Sequence, residues 1–209
     1  MPELEEKLQA GISALHLSLP DQAQQKLLAY LYQLHKWNQA YNLSGIKNIE
    51  EMLTLHILDS LAMAPYIDGQ DIADVGTGAG LPGVPLAICF PEKKFTLIDS
   101  NSKKTRFIFQ TASLLELPNV HVVHKRVGDY DCHQQLDIVT SRAFSSLNDF
   151  VTSSQHMLRE QGRFLAMKGL VPQEEITDLP TEFCVFAIHP LNVPGTQANR
   201  HVIDIRRKS

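Results

Sequence analysis

Apolar residues in the first third of the chain recur at intervals of three and four. Leu4, Leu8, Ile12 and Leu15 mark a short amphipathic helix over 3–17, with Gly11 inside it. A second stripe carries Leu27, Leu28, Leu31, Leu34 and Trp37 and runs out near 41–45. Its start is expected at Ser18-Leu-Pro-Asp21, a serine followed three residues on by an acid, as in a capping box. Asn48-Ile-Glu-Glu51 repeats that logic for a third helix with Met52, Leu55, Leu58, Leu61 and Ala62, ended by Pro65. Residues 1–68 are therefore expected to be a helical section packed on the core formed by the rest of the chain.

From residue 71 the period changes. Short apolar or β-branched runs at 71–75, 94–98, 120–124, 136–140 and 163–167 alternate with helix-like stretches at 82–90, 103–116 and 147–159. That alternation predicts a doubly wound, mostly parallel α/β sheet over residues 69–209. Two further runs, F-C-V-F-A-I-H and H-V-I-D-I-R-R, are joined by a loop with proline and glycine. They are expected as an antiparallel pair at the sheet edge, making seven strands. In such sheets ligands lie beyond the carboxyl ends of the strands, where strand order reverses. The ends at Asp74 to Gly80, Asp99 to Asn101, Arg126 to Asp129, Ser141 to Phe144 and Lys168 to Gly169 then define the site. Asp137 falls at the opposite end and is expected to be structural.

The first of these ends reads D-x-G-x-G-x-G, from Asp74 through Gly76, Gly78 and Gly80. Glycines there allow positive φ and let a ligand approach the main chain. Pro82 and Pro85 suit a helix start. Gly78, Gly80 and Gly83 also satisfy the dinucleotide fingerprint G-x-G-x-x-G, with Asp99 at the distance of a ribose carboxylate. Asp74 favours a ligand with a cationic amino-acid end, such as S-adenosylmethionine. In that reading Asp99 holds ribose hydroxyls, and the backbone of Val127 and Gly128, with Asp129, meets adenine. A tight turn without a ligand is the plainer alternative. In the helical section His35, Lys36, Trp37, Asn38, Tyr41, Asn42, His56 and Asp59 either converge on a ligand or serve as lid packing.

Bulk properties narrow the classes. At 209 residues, 44% hydrophobic and 20% charged, the chain fits one sizeable α/β domain with an appendage, and a disordered chain is excluded. Apolar runs are too short to span a membrane and the first residues are acidic where a signal peptide is basic, so a cytosolic protein is expected. Cys89, Cys132 and Cys184 are far apart and lack C-x-x-C spacing, which points away from a disulfide framework or a zinc site. His121-x-x-His124 and Cys132-His133 are likewise not expected to bind metal. A net charge of −4 argues against a non-specific nucleic-acid coat protein. Local basic faces remain open at Lys103, Lys104 and Arg106, at Lys125 and Arg126, and at Arg206, Arg207 and Lys208.

Several stretches together carry a family resemblance: D-V-G-T-G-A-G-L-P-G-x-P-L-A-I, H-K-W-N-x-A-Y-N-L, L-H-I-L-D-S, S-R-A-F-x-S-L and A-M-K-G. The chain resembles ribosomal small subunit methyltransferase G, also called glucose-inhibited division protein B. The resemblance implies a class I methyltransferase fold with S-adenosylmethionine as cofactor. It implies methyl transfer to ring nitrogen 7 of a guanine in bacterial 16S ribosomal RNA, within the small subunit or its assembly intermediate. It also implies cofactor contacts at Gly76, Leu81, Val127, Gly128 and Arg142, with Asp99 in the ribose place. Where the family carries an acidic residue this chain has Gly128, leaving adenine to Asp129 or to the backbone alone.

Nitrogen 7 holds a free in-plane lone pair, so its attack on a sulfonium methyl needs no general base, and Arg142 is expected to position rather than to transfer a proton. An arginine fork on oxygen 6 and nitrogen 7 would block the reacting atom. Phe144 is one candidate stacking platform or else core packing, and Lys168, Arg200 and His201 are candidate phosphate or base contacts or else solvated surface. A nicotinamide-dependent oxidoreductase and a non-catalytic RNA-binding assembly factor are the competing readings.

Overall fold

The two apolar stripes fold as helices α1 (Pro2–Ala14) and α2 (Asp21–Tyr41). The computed structural model describes residues 2–132, 135–142 and 144–208. The serine cap expected for α2 does not form: Pro20 holds the N-cap position in extended backbone, without a side-chain cap bond. Its ring presets that geometry, and Asp21 in the first turn complements the helix dipole. At the other end Asn42 takes the left-handed conformation and donates its N–H to Asn38 O. The Asn48 cap does form, accepting from the Glu50 and Glu51 N–H groups at 2.8 and 3.0 Å.

The third helix departs from regular spacing. A short α3 (Ile49–Met52) widens into a π turn over Leu53–Leu58 before α4 (Asp59–Leu61). The wide turn shifts the apolar phase, burying Leu53 and Ile57 while Leu55, expected in the stripe, is half-exposed.

Strands β1 (Asp71–Val75), β2 (Lys94–Asp99), β3 (Val120–His124), β4 (Leu136–Ser141) and β5 (Leu158–Lys168) are parallel neighbours. Helices α5 (Gly83–Cys89), α6 (Ser102–Leu114) and α7 (Leu147–Ser154) lie between them in sequence. After a short α8 (Gln173–Thr177) come β6 (Phe183–Pro190) and β7 (His201–Arg207). The sheet order is β3-β2-β1-β4-β5-β7-β6, with β7 antiparallel to both of its neighbours. The order reverses between β1 and β4, which opens the binding crevice there. Strand β5 starts five residues earlier than expected, because α7 stops at Ser154.

Leu27, Tyr30, Leu31 and Leu34 of α2 are fully buried in one core with Leu53, Ile57 and Leu61, and with Val84, Phe107 and Ile138 of the α/β section. Full burial of one such leucine contributes roughly 1.5–3 kcal/mol, so the helical section is fastened to the sheet by several strong contacts. The opposite face carries an aromatic row, Phe144, Phe150, Phe164 and Phe183, with successive centroids 5.5, 5.2 and 5.6 Å apart. Among the described residues no helix is long and apolar enough to cross a membrane.

Register also sorts the basic clusters. Lys168 pairs with His201 and Arg163 with Arg206, so Arg206 and Arg207 sit at the end of the sheet away from the glycine loop. There Arg206 is paired with Asp204, and Arg207 donates to Gln155 O. Asp137 lies at that same end and accepts the Gln70 and Asp71 N–H groups, the structural task expected of it.

Candidate active site

The loop after β1 is held from beneath by two carboxylates. Gly76, Gly78 and Gly80 all take positive φ, of 64, 61 and 92°. Asp74 Oδ2 accepts from Thr77 Oγ1 at 2.6 Å and from Gly83 N at 2.9 Å, tying both ends of the loop to the strand. A Cβ on Gly83 would meet Asp74 Oδ2 at 2.9 Å, so glycine is needed for this close approach. Asp99 Oδ2 accepts from Gly78 N and Oδ1 from Asn101 N, both at 2.8 Å. From the helical section the buried Tyr30 hydroxyl donates to Ala79 O at 2.7 Å. Burial raises the Tyr30 pKa, so the hydroxyl remains a donor.

Asp74 has no exposed surface, and its Oδ2 bonds shape the loop. Burial pushes its carboxyl up to about 7, against the pull of the Thr77 and Gly83 hydrogen bonds. Its second oxygen, Oδ1, has no partner. Leu81 is likewise packed into the core at 5% exposure. Asp99 is buried, with both oxygens already engaged by the main chain.

Above the loop the surface is open. A Cβ on Gly78 would approach only the Lys104 ammonium, at 3.9 Å, and Gly128 has nothing within 4 Å. Gly128 and Asp129 are exposed in a short turn after β3, while Val127 packs on the aromatic-row side. Phe144 stands beside the loop, with ring atoms 3.7 Å from a Cβ placed on Gly76.

Next to the loop, between the π turn and the ends of β4 and β5, lies a cleft of about 360 Å³. Asp59, 1% exposed, binds two arginines: Arg142 Nη1 on Oδ2 at 3.2 Å and Arg200 Nε on Oδ1 at 2.8 Å. Arg142 also donates to Leu55 O at 3.1 Å, and its Nη2 lies 3.3 Å from His56 Nδ1. His56 Nδ1 also lies 3.0 Å from Leu55 O, which can only accept, and Nε2 lies 2.6 Å from Ser44 Oγ. Burial, then the Arg142 charge, lowers the His56 pKa to about 4, leaving the ring neutral near pH 7. Lys168 enters the cleft already paired with Glu175, at 2.8 and 3.1 Å. His201 borders it through Gly169 O, 2.9 Å from Nδ1.

Arg142, Lys168 and Arg200 thus meet in one cleft, and Asp74 and Asp99 brace the loop that carries Gly76, Gly78 and Gly80. Of the eight helical residues singled out, His56 and Asp59 reach the cleft. Asn38 instead fixes residues 44–46, and Trp37 packs between Tyr41 and Phe107. Sequence spacing gives no sign of Glu175, Tyr30 or Ser44: Glu175 reaches Lys168 only through the turn into α8, and Tyr30 sits in a stripe that reads as packing. Thr77, three residues after Asp74, is within reach of the motif. Among the described residues no three His, Cys, Asp or Glu side chains cluster as metal ligands, and His121 and His124 are exposed. His133 and Ala143 lie outside the described residues.

Sheet order, glycine loop and crevice define a class I methyltransferase fold. Solved structures agree: the glycopeptide N-methyltransferase MtfA complexed with S-adenosyl-L-homocysteine aligns with TM-score 0.63 at 9% identity, over 73% of this chain and 87% of that one. TYW2 of M. jannaschii, in complex with AdoMet, aligns with TM-score 0.58 at 17% identity, over 73% and 76%. The chain belongs to the rRNA small subunit methyltransferase G family, GidB, whose model matches residues 23–203. It is 49% identical to the ribosomal RNA small subunit methyltransferase G of Marinomonas sp. (strain MWYL1), over 96% of this chain and 97% of that one. It is 48% identical to that of Stutzerimonas stutzeri (strain A1501), over 98% and 96%. The oxidoreductase and non-catalytic readings find no support.

Proposed function

We propose that this chain is a cytoplasmic enzyme that transfers a methyl group from S-adenosylmethionine to nitrogen 7 of a guanine in 16S ribosomal RNA of the small subunit. The observation that carries the reading is the juxtaposition, across the strand-order reversal, of an open glycine loop with a cleft lined by guanidinium groups. The loop suits the cofactor: three positive-φ glycines leave its main chain approachable, and Gly78 and Gly128 present open sides. In this reading residues 69–209 are the methyltransferase domain, and residues 1–68 hold the loop and one wall of the cleft.

Gly76, Gly78 and Gly80 would hold the cofactor by main-chain contacts, with Asp99 tethering Gly78 beside the ribose place and Val127, Gly128 and Asp129 flanking adenine. When bound, S-adenosylmethionine supplies an electrophilic methyl on a sulfonium leaving group. Guanine nitrogen 7 carries a free lone pair and no proton, so no general base would be needed and the chain's task is alignment, which is worth roughly 7–11 kcal/mol in ideal cases. Arg142 orients the reacting groups from a fixed position, because Asp59 and Leu55 O hold its guanidinium. The neutral His56 adds no repulsion to that guanidinium. Phe144, beside Gly76, supplies a ring face for the base, and Arg200, Lys168 and His201 flank the RNA strand.

The test is incubation with methyl-labelled S-adenosylmethionine and small subunits from cells lacking this modification, offered intact and as free 16S RNA, followed by nucleoside analysis. Labelled 7-methylguanosine is expected; label in another nucleoside, or none, overturns the proposal.

A further inference from the structure

Asp59, Arg142 and Arg200 come from three distant parts of the chain, with 83 residues between the numbers of the first pair and 141 between those of Asp59 and Arg200. Folding brings both guanidinium groups onto one carboxylate that is almost wholly buried, at 1% exposure. A single arginine would neutralise Asp59. The second adds a surplus charge, and Glu175 offers no relief because Lys168 already matches it. His56 stays neutral beside Arg142. The cleft therefore holds three cations against two carboxylates, and among the described residues Arg142 Nε and Arg200 Nη2 donate to nothing. These donors suit an anion. They do not suit the imidazole edge of the reacting guanine, where an arginine fork would occupy nitrogen 7. The π turn that ends at Leu58 brings Asp59 to this point, a local irregularity of the kind that marks functional sites.

We infer that Asp59 is a positioning residue: it locks Arg142 and Arg200 into one receptor for an RNA phosphate adjacent to the methylated guanine. The inference rests on the function proposed above. Arg142 joins this receptor to the cofactor side, and Arg200 joins it to the RNA side. Without Asp59 the Arg142 guanidinium keeps Leu55 O, whereas Arg200 keeps only Asn199 O, of its neighbouring residue, and swings free. The loss should therefore fall on RNA engagement more than on the cofactor.

A double-mutant cycle tests this. Asp59→Asn and Arg200→Gln are each expected to lower kcat/KM for RNA by about 10- to 100-fold, as when the partner orienting a functional side chain is removed, chiefly through KM. The two changes together should be no worse than Arg200→Gln alone within about twofold, since Asp59 acts through the arginine. The slope of log affinity against log salt for RNA should fall by about 0.7 in each variant, the value for one lost phosphate on a single strand. Multiplicative losses, an unchanged salt slope, or Asp59→Asn turnover equal to wild type would overturn the inference. Should Asp59→Asn lose its fold by circular dichroism, the wild type decides: its Arg200 Nε–H resonance must be slow to exchange and must shift when RNA is added, and failure of either rejects the receptor. Absence of methyl transfer by the wild type would strike the proposed reaction, whereas the RNA-binding cycle and the arginine resonance would still judge the receptor.

Discussion

Replacing Asp74 by asparagine should change how stability depends on pH. In the folded chain burial pushes this carboxyl up to about 7 from an ordinary 3.8. The folded state therefore binds the proton more tightly than the unfolded chain. The associated stability is fully present below pH 3.8 and is lost as pH rises through 7. Each pH unit in that window costs about 1.4 kcal/mol, which sets a ceiling of roughly 4 kcal/mol, with about 2–3 kcal/mol of it lost between about pH 5 and pH 8. The proton belongs on Oδ1, the oxygen without a partner, since Oδ2 already accepts from Thr77 and Gly83. Asparagine mimics that protonated form and cannot titrate. Any fixed cost of its amide is independent of pH, so the slope is the diagnostic quantity. Urea unfolding of both proteins without ligand at pH 5, 6, 7 and 8 should show the variant gaining on wild type by about 2–3 kcal/mol across the series, levelling above pH 8. A difference that stays flat, or that moves toward wild type as pH rises, would refute the assignment of a protonated Asp74.

Three further outcomes are expected from the same geometry. Asp99→Ala frees Gly78 N and Asn101 N together, and should weaken S-adenosylmethionine by at least about tenfold in calorimetry, since each lost charge-assisted hydrogen bond is worth about 1.5–3 kcal/mol; equal affinity removes Asp99 from the cofactor site. Arg142→Ala should abolish methyl transfer to small subunits while leaving circular dichroism unchanged, because Asp59 keeps Arg200 as a partner; normal turnover would exclude Arg142. Tyr30→Phe leaves the Ala79 carbonyl unpaired in a buried place, and should lower unfolding stability by about 1–3 kcal/mol with a parallel loss of cofactor affinity; a stability loss without any change in affinity would uncouple α2 from the loop.

The elements nearest the chemistry are legible where one local rule suffices. Alternating strands and helices place the ends of β1 to β5 at one edge, and the D-x-G-x-G-x-G spacing marks the loop, because positive φ and close approach demand glycine wherever the rest of the chain lies. The cap at Asn48 comes from the same kind of short-range bonding, and the cap at Ser18 fails because Pro20 preempts it. Periodicity misplaces the third helix at Leu55, since a π turn is stabilised by what it packs against and leaves no period to read.

Sequence by itself determined the strand ends, the glycine loop and the presence of Arg142 at the crevice, each a matter of spacing within a few residues. Only the tertiary structure decided what the charged groups do. Asp74 is a buried brace because the loop closes over it, and Lys168 is neutralised because α8 returns Glu175 to it. Asp59 is the centre of the cleft because folding stacks residues 59, 142 and 200 within hydrogen-bond reach. Electrostatic partnership depends on distance in space and on exclusion of water, and neither is written in the spacing along the chain.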